Sequence, residues 1–153
     1  MDALLIAIVT WLSANTELPA NYQLPTIRYA TTEEIMQFRY GAFSLSERQR
    51  IAAAQAIPPD QRNSVVAVYD DKKREILLPS EWSPATASAL SVLVHEMVHH
   101  LQYSAQIKFA CPQEREATAY KAQEKWLQLF GKSLESEFGI DPFTVLVNSN
   151  CQL

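Results

Sequence analysis

Residues 83–104 read SPATASALSVLVHEMVHHLQYS, and this stretch decides the fold. Leu90, Val94, Val98 and Leu101 recur at the 3-4-3 spacing of a buried helical face. Ser83 offers a capping hydroxyl and Pro84 suits a first turn, so a helix is predicted from residue 84 to about Ser104. Inside it, residues 95–99 read His-Glu-Met-Val-His. Residues four apart on a helix lie one above the other. His95 and His99 therefore share a face, at the edge of the apolar stripe, where a cleft bordering the core is expected.

Working outward, the clearest β signal lies just upstream. Ser64–Tyr69 is rich in valine, Asp70–Lys73 is a polar turn and Arg74–Leu78 is a second apolar run, which together predict a hairpin over about 64–78. Thr26–Ala30 alternates and reads as a short strand. Thr32, followed by Glu33 and Glu34, starts a helix that can run to Tyr40. Ser46–Ala56 reads as another, stopped by Pro58-Pro59. Residues 3–14 read as an amphipathic first helix, and Leu18–Pro25 as a loop held by Pro19 and Pro25. Downstream, Cys111-Pro112 opens a helix to about Phe130, before Gly131. The tail from Asp141 has no clear pattern. The expectation is one α+β domain over residues 1–153. A small β-sheet containing the 64–78 hairpin packs on two helices, with an additional N-terminal helix.

Composition narrows the function classes. The chain has 153 residues, 48% apolar and 20% charged, an ordinary globular balance. Three glycines leave no room for a phosphate-cradling loop. The net charge is -4, and the densest basic run, Lys72-Lys73-Arg74, follows Asp70-Asp71. It reads as a solvated turn, so no nucleic-acid partner is expected. No run reaches membrane-spanning length. Asp2 stands where a leader would carry basic residues, and no A-x-A site follows, so residues 3–14 read as part of the domain. The two cysteines, Cys111 and Cys151, are expected to pair. A bridge would anchor the tail and imply a periplasmic or secreted protein; without it the reading is cytoplasmic.

His95-Glu96-x-x-His99 on a helix can offer two imidazole nitrogens to one zinc ion. Glu96 sits about 100° around the helix. It falls outside the coordination sphere but within reach of a water on the metal, whose proton it can accept. Catalytic zinc takes a third protein ligand. The next helix offers Glu114 and Glu116, on roughly opposite sides. Glu116 shares a face with Ala119, Tyr120 and Gln123, beside the apolar stripe of Ala119, Ala122, Trp126 and Phe130. It is the expected ligand, with Glu114 facing solvent. Ala117 and Ala119 would let the two helices approach.

His95-Glu96-x-x-His99, a connecting loop and then Glu116-x-x-Ala119 resembles the gluzincin metallopeptidases, and in size their compact members, the minigluzincins. The resemblance covers roughly residues 64–130. It implies a Zn²⁺ cofactor, a peptide or protein substrate, and an edge strand that holds the substrate extended, from Ser64–Tyr69 or Arg74–Leu78. Many gluzincins have an aspartate four residues after the ligand glutamate, orienting a zinc histidine; here Tyr120 stands there. His100 points about 100° from His99 and reads as a surface residue or a neighbour of the ligands. Gln102 lies on the ligand side, touching substrate or solvated at the helix end. Tyr69, Tyr103 and Tyr120 are the candidates to stabilise an oxyanion. Trp11, Trp82 and Trp126 read as core or core-edge residues. Two other readings of the same metal core are a non-catalytic module, whose open position residues near Leu153 block, and a zinc hydrolase of a non-peptide substrate.

Overall fold

A computed structural model describes residues 1–40 and 67–151. In chain order they form α1 (Asp2–Asn15), β1 (Thr26–Ala30), α2 (Thr32–Tyr40), β2 (Val68–Asp70), β3 (Glu75–Pro79), α3 (Ala87–Ser104), a 3₁₀ turn (Pro112–Arg115), α4 (Glu116–Gln128), α5 (Leu134–Phe138) and α6 (Pro142–Asn148). The architecture is α+β, as expected. The helix expected over Ser46–Ala56 lies outside the described residues, as do residues 64–66 of the expected strand.

Helix α3 is the axis of the core. Leu93, Val94, Met97, Val98 and Leu101 are all fully buried. They pack with Leu5, Ile8, Val9 and Leu12 of α1, with Ile76 and Leu78 of β3, and with Ala119 and Ala122 of α4. The histidine helix is therefore covered on several sides and not along one stripe alone. Its start differs from the expectation. The cap is Thr86, whose hydroxyl accepts from the Ala89 amide at 3.0 Å, three residues beyond Ser83. The physical reason is packing: Trp82 packs against the core and its indole Nε1 donates to the Ala89 carbonyl at 3.0 Å, so the chain turns before it coils.

The hairpin forms as expected, with Tyr69 opposite Ile76. Its turn is held by the Asp70 carboxylate, which accepts from the Lys72 and Lys73 amides at 3.0 and 3.2 Å, and Arg74 closes it at φ 52°. Strand β1 adds on the other side of β3, in parallel, giving the order β1-β3-β2. That order makes Arg74–Leu78 the central strand. Of the two candidate edges, only the β2 side is outermost among the described residues.

Helix α4 lies against α3 through Ala119 and Ala122, both buried, so the backbones approach closely. The expectation had named Ala117, but Ala117 is exposed. Phe130, assigned to the apolar stripe, is also exposed, because α4 ends at Gln128 and Gly131 turns the chain at φ 68°. Trp11 and Trp126 meet edge-to-face at the rim of the core, ring centroids 5.3 Å apart. The Cys111–Cys151 disulfide ties the segment after α6 to the turn before α4. The tail is thus ordered into α6, capped by the Asp141 carboxylate on the Thr144 amide at 2.7 Å. No helix of the described residues is long and apolar enough to cross a membrane.

Candidate metal centre

Cys111-Pro112 opens a 3₁₀ turn and not an α-helix, with the Glu114 amide on the Cys111 carbonyl at 3.2 Å. Glu114 is exposed, as expected, and its carboxylate accepts from the Ala110 amide at 2.7 Å. The α-helix begins at Glu116. The Glu116 carboxylate therefore sits at a helix N-terminus, where unpaired amides favour negative charge. Packing of α4 on α3 brings it to the two histidines. One donor atom from each of His95, His99 and Glu116 lies within 4.8 Å of the other two. His95 Nε2 is 2.9 Å from Glu116 Oε2, and His99 Nε2 is 3.3 Å from Glu116 Oε1.

The hydrogen bonds on the far side of each ring set its tautomer. The Ser91 hydroxyl donates to the Ser88 carbonyl at 2.7 Å, so Ser91 Oγ must accept from Gln123 Nε2 at 3.2 Å. That leaves Gln123 Oε1 facing His95 Nδ1 at 2.9 Å, and Nδ1 carries the proton. The same logic holds one turn on. Gln102 Nε2 donates to the Arg115 carbonyl at 3.0 Å, so Gln102 Oε1 accepts from His99 Nδ1 at 3.0 Å. In each neutral ring, the Nε2 lone pair then points at a carboxylate. Three electron-pair donors converge with no proton among them, which is stable only around positive charge. Protons on both Nε2 atoms supply it in one way. Burial then works to raise the Glu116 pKa, but the hydrogen bonds from His95 and His99 outweigh it and hold the carboxyl well below the usual range. A divalent cation supplies it in the other way, and two imidazoles plus one carboxylate are a donor set that suits zinc. The residues fit a metal ion.

Gln123 and Gln102 are the residues that sequence reading missed or misplaced. Gln102 is buried and orients His99; it is not a solvated helix end. Gln123 accepts from His95 Nδ1 and so orients that ring, from one turn further along α4 than Tyr120. The signal was present as a shared face of Glu116, Tyr120 and Gln123, but a glutamine one turn on is an ordinary helix residue until α3 packs beside it. Removing such an orienting acceptor costs about 10–100-fold in metal affinity. Gln123→Met, which keeps the volume, is expected to weaken zinc binding by that factor in a competition titration against a chelator. Unchanged affinity would show that the bond to His95 does not orient it.

Glu96 is buried, and with the three donors it lines a cavity of about 250 Å³, walled also by Val68 and Tyr69 of β2 and by Tyr120 of α4. The tyrosine ring of Tyr120 stands edge-on to His95, centroids 5.0 Å apart. Tyr103 does not reach this cavity; it is half exposed, with the Arg74 guanidinium 5.6 Å from its ring centre. His100 is not on the surface. It is buried, with Nε2 donating to the Gln23 carbonyl at 2.8 Å, so its Nδ1 accepts from the Tyr69 hydroxyl at 3.1 Å. Burial lowers the His100 pKa, and pushes the Tyr69 phenol up to about 12. This neutral pair fastens β2 and the 18–25 loop to the histidine helix.

Fold and site together define an α+β protein whose two adjoining helices carry a His-His-Glu cluster able to hold a metal ion. The chain belongs to the family described as Domain of unknown function (DUF6647), whose model matches residues 1–153. Searches among curated proteins and among solved structures each return no match.

Proposed function

We propose that the cluster binds zinc and that the protein is a zinc-dependent hydrolase of the gluzincin type, acting on peptide bonds. One observation carries the reading: two imidazoles, each oriented by a buried glutamine, meet Glu116 on the wall that Glu96 also lines. Zinc held by His95, His99 and Glu116 would supply Lewis-acid activation of a water and of the substrate carbonyl. Glu96 accepts the proton of the attacking water and later passes it to the leaving amine. Gln102 and Gln123 keep the rings in one tautomer through the cycle. Strand β2 stands beside the site, in position to pair with an extended substrate. The disulfide supports placement in an oxidising compartment, periplasmic or extracellular.

Elemental analysis tests the metal. The native protein is expected to carry about one zinc per chain, and His99→Ala and Glu116→Ala to lose it. No metal under replete conditions would end the reading. Peptide-pool digestion then tests the chemistry. Zinc without turnover would favour a binding module, and turnover on esters alone a non-peptide hydrolase. Cys151 and α6 are held beside the site, and Asn148 Nδ2 donates to the Tyr120 hydroxyl at 3.4 Å. Whether the last residues block the cleft concerns 152–153, outside the described residues.

A further inference from the structure

Arg115 is the charged residue that the chemistry above leaves unused. It closes the 3₁₀ turn directly before Glu116, and its side chain is 36% exposed. Its Nε is buried and has no hydrogen-bond partner among the described residues. It forms a long ion pair with Glu116 Oε1, at 3.9 Å, and that carboxylate faces the two imidazoles at shorter range. A second cavity, of about 380 Å³, adjoins the first, and Tyr69, His99 and Arg115 line both. Arg115 thus stands where the two join. Besides Glu96 and Glu116, the carboxylate along this cleft is Asp71, and no ion pair joins it to Arg115 among the described residues. The cleft holds a permanent cation whose buried Nε makes no hydrogen bond among the described residues and only a long ion pair to Glu116, beside the donors of the metal.

We propose that Arg115 receives a carboxylate of the substrate next to the bond that is cleaved. The proposal rests on the hydrolase reading above and adds the substrate class to it. A guanidinium presents its N–H groups as a planar fork that matches a carboxylate with two parallel hydrogen bonds. The distance sets where that carboxylate lies. Arg115 Nε is 3.9 Å from a donor atom of the metal cluster, and one residue of chain spans about 3.8 Å. The anion therefore belongs to the residue at or beside the scissile bond. It is either the C-terminal carboxylate of a short peptide or an acidic side chain flanking the bond.

The test uses the full-length, zinc-loaded chain and two probes, succinate monohydroxamate and butyrohydroxamate. Both carry a metal-chelating hydroxamate, and only the first carries a carboxylate. Calorimetry on the native protein is expected to show on the order of tenfold or more preference for the acid. Arg115→Gln loses that preference while keeping its affinity for butyrohydroxamate, and Arg115→Lys keeps part of it. Zinc content and thermal melting show that each variant is folded, and the lysine variant serves if the glutamine one is not. Equal binding of the two probes by the native protein, or an undiminished preference in Arg115→Gln, overturns the proposal and leaves the metal reading standing. A native protein that carries no zinc fails the metal reading, and the proposal falls with it. Competition against the acid probe, in a Glu96→Gln background, separates the sources. Ala-Ala-Ala competing better than its amide assigns the terminal carboxylate, and Ala-Asp-Ala amide competing assigns the side chain. Competition by neither overturns the proposal.

Discussion

Glu96→Gln is expected to leave about one zinc per chain in place and to lower peptide turnover by about 10²–10⁴-fold, the usual contribution of a positioned general base. The substitution is chosen because it separates two roles. Glutamine has nearly the same volume, so a side chain buried on the cavity wall is replaced without opening a void. It keeps a carbonyl oxygen to orient a water, but it cannot hold the proton that the water gives up. Position explains why Glu96 is not a fourth donor: it is about 100° around α3 from His95, while His95 and His99 share a face. Steady-state kinetics beside elemental analysis reads both quantities on one sample. Turnover unchanged with zinc bound removes Glu96 as the base. Turnover and zinc lost together assign Glu96 to holding the metal.

Breaking the Cys111–Cys151 bridge is expected to cost about 4 kcal/mol of folding stability, and on the order of 10 °C in Tm. The figure follows from the 40-residue separation of the two cysteines, since closing a loop of that length removes much freedom from the unfolded chain. The loop encloses α4, α5 and α6, so the bond restrains the segment that bears Glu116. Cys111→Ser/Cys151→Ser, unfolded in guanidinium beside the native protein, checks it. A loss below about 1 kcal/mol would mean that residual structure already confines this segment in the unfolded ensemble, so that the bridge removes little freedom from it. The double variant is expected to bind zinc when folded, because His95, His99 and Gln102 lie outside the bridged loop, and Glu116 and Gln123 are held against them by the packing of α4 on α3. Loss of zinc from the folded variant would show that the bridge also sets the Glu116 position.

Much of this was legible in the chain because it depends on local periodicity. The four-residue spacing of His95 and His99 puts them on one face of any helix. A valine-rich run before Asp70–Lys73 and an apolar run after it make a hairpin, and Gly131 stops α4 because its backbone turns at positive φ. Glu116 was separable from Glu114 by the phase of a helix expected to hold both; the structure puts Glu116 with the histidines and Glu114 in solvent, although Glu114 lies in a 3₁₀ turn before the α-helix begins. The pairing of Cys111 with Cys151 was expected because two cysteines permit one bridge and a bridge would anchor the tail, and the structure has it.

What the tertiary structure decided are contacts between residues far apart in sequence, for which no local pattern exists. Strand β1 pairs in parallel with β3, across 49 positions of register, and so moves Arg74–Leu78 from a candidate edge to the centre of the sheet. His100 is buried only because Gln23 and Tyr69 arrive from two other segments to meet both its nitrogens. Gln123, 28 residues from His95, becomes its orienting partner once the helices touch. The trace of the chain thus determined which residues can bind a metal. The packing of α4 on α3 determined which atoms face it, because a ring's tautomer depends on the hydrogen bond made at its far side.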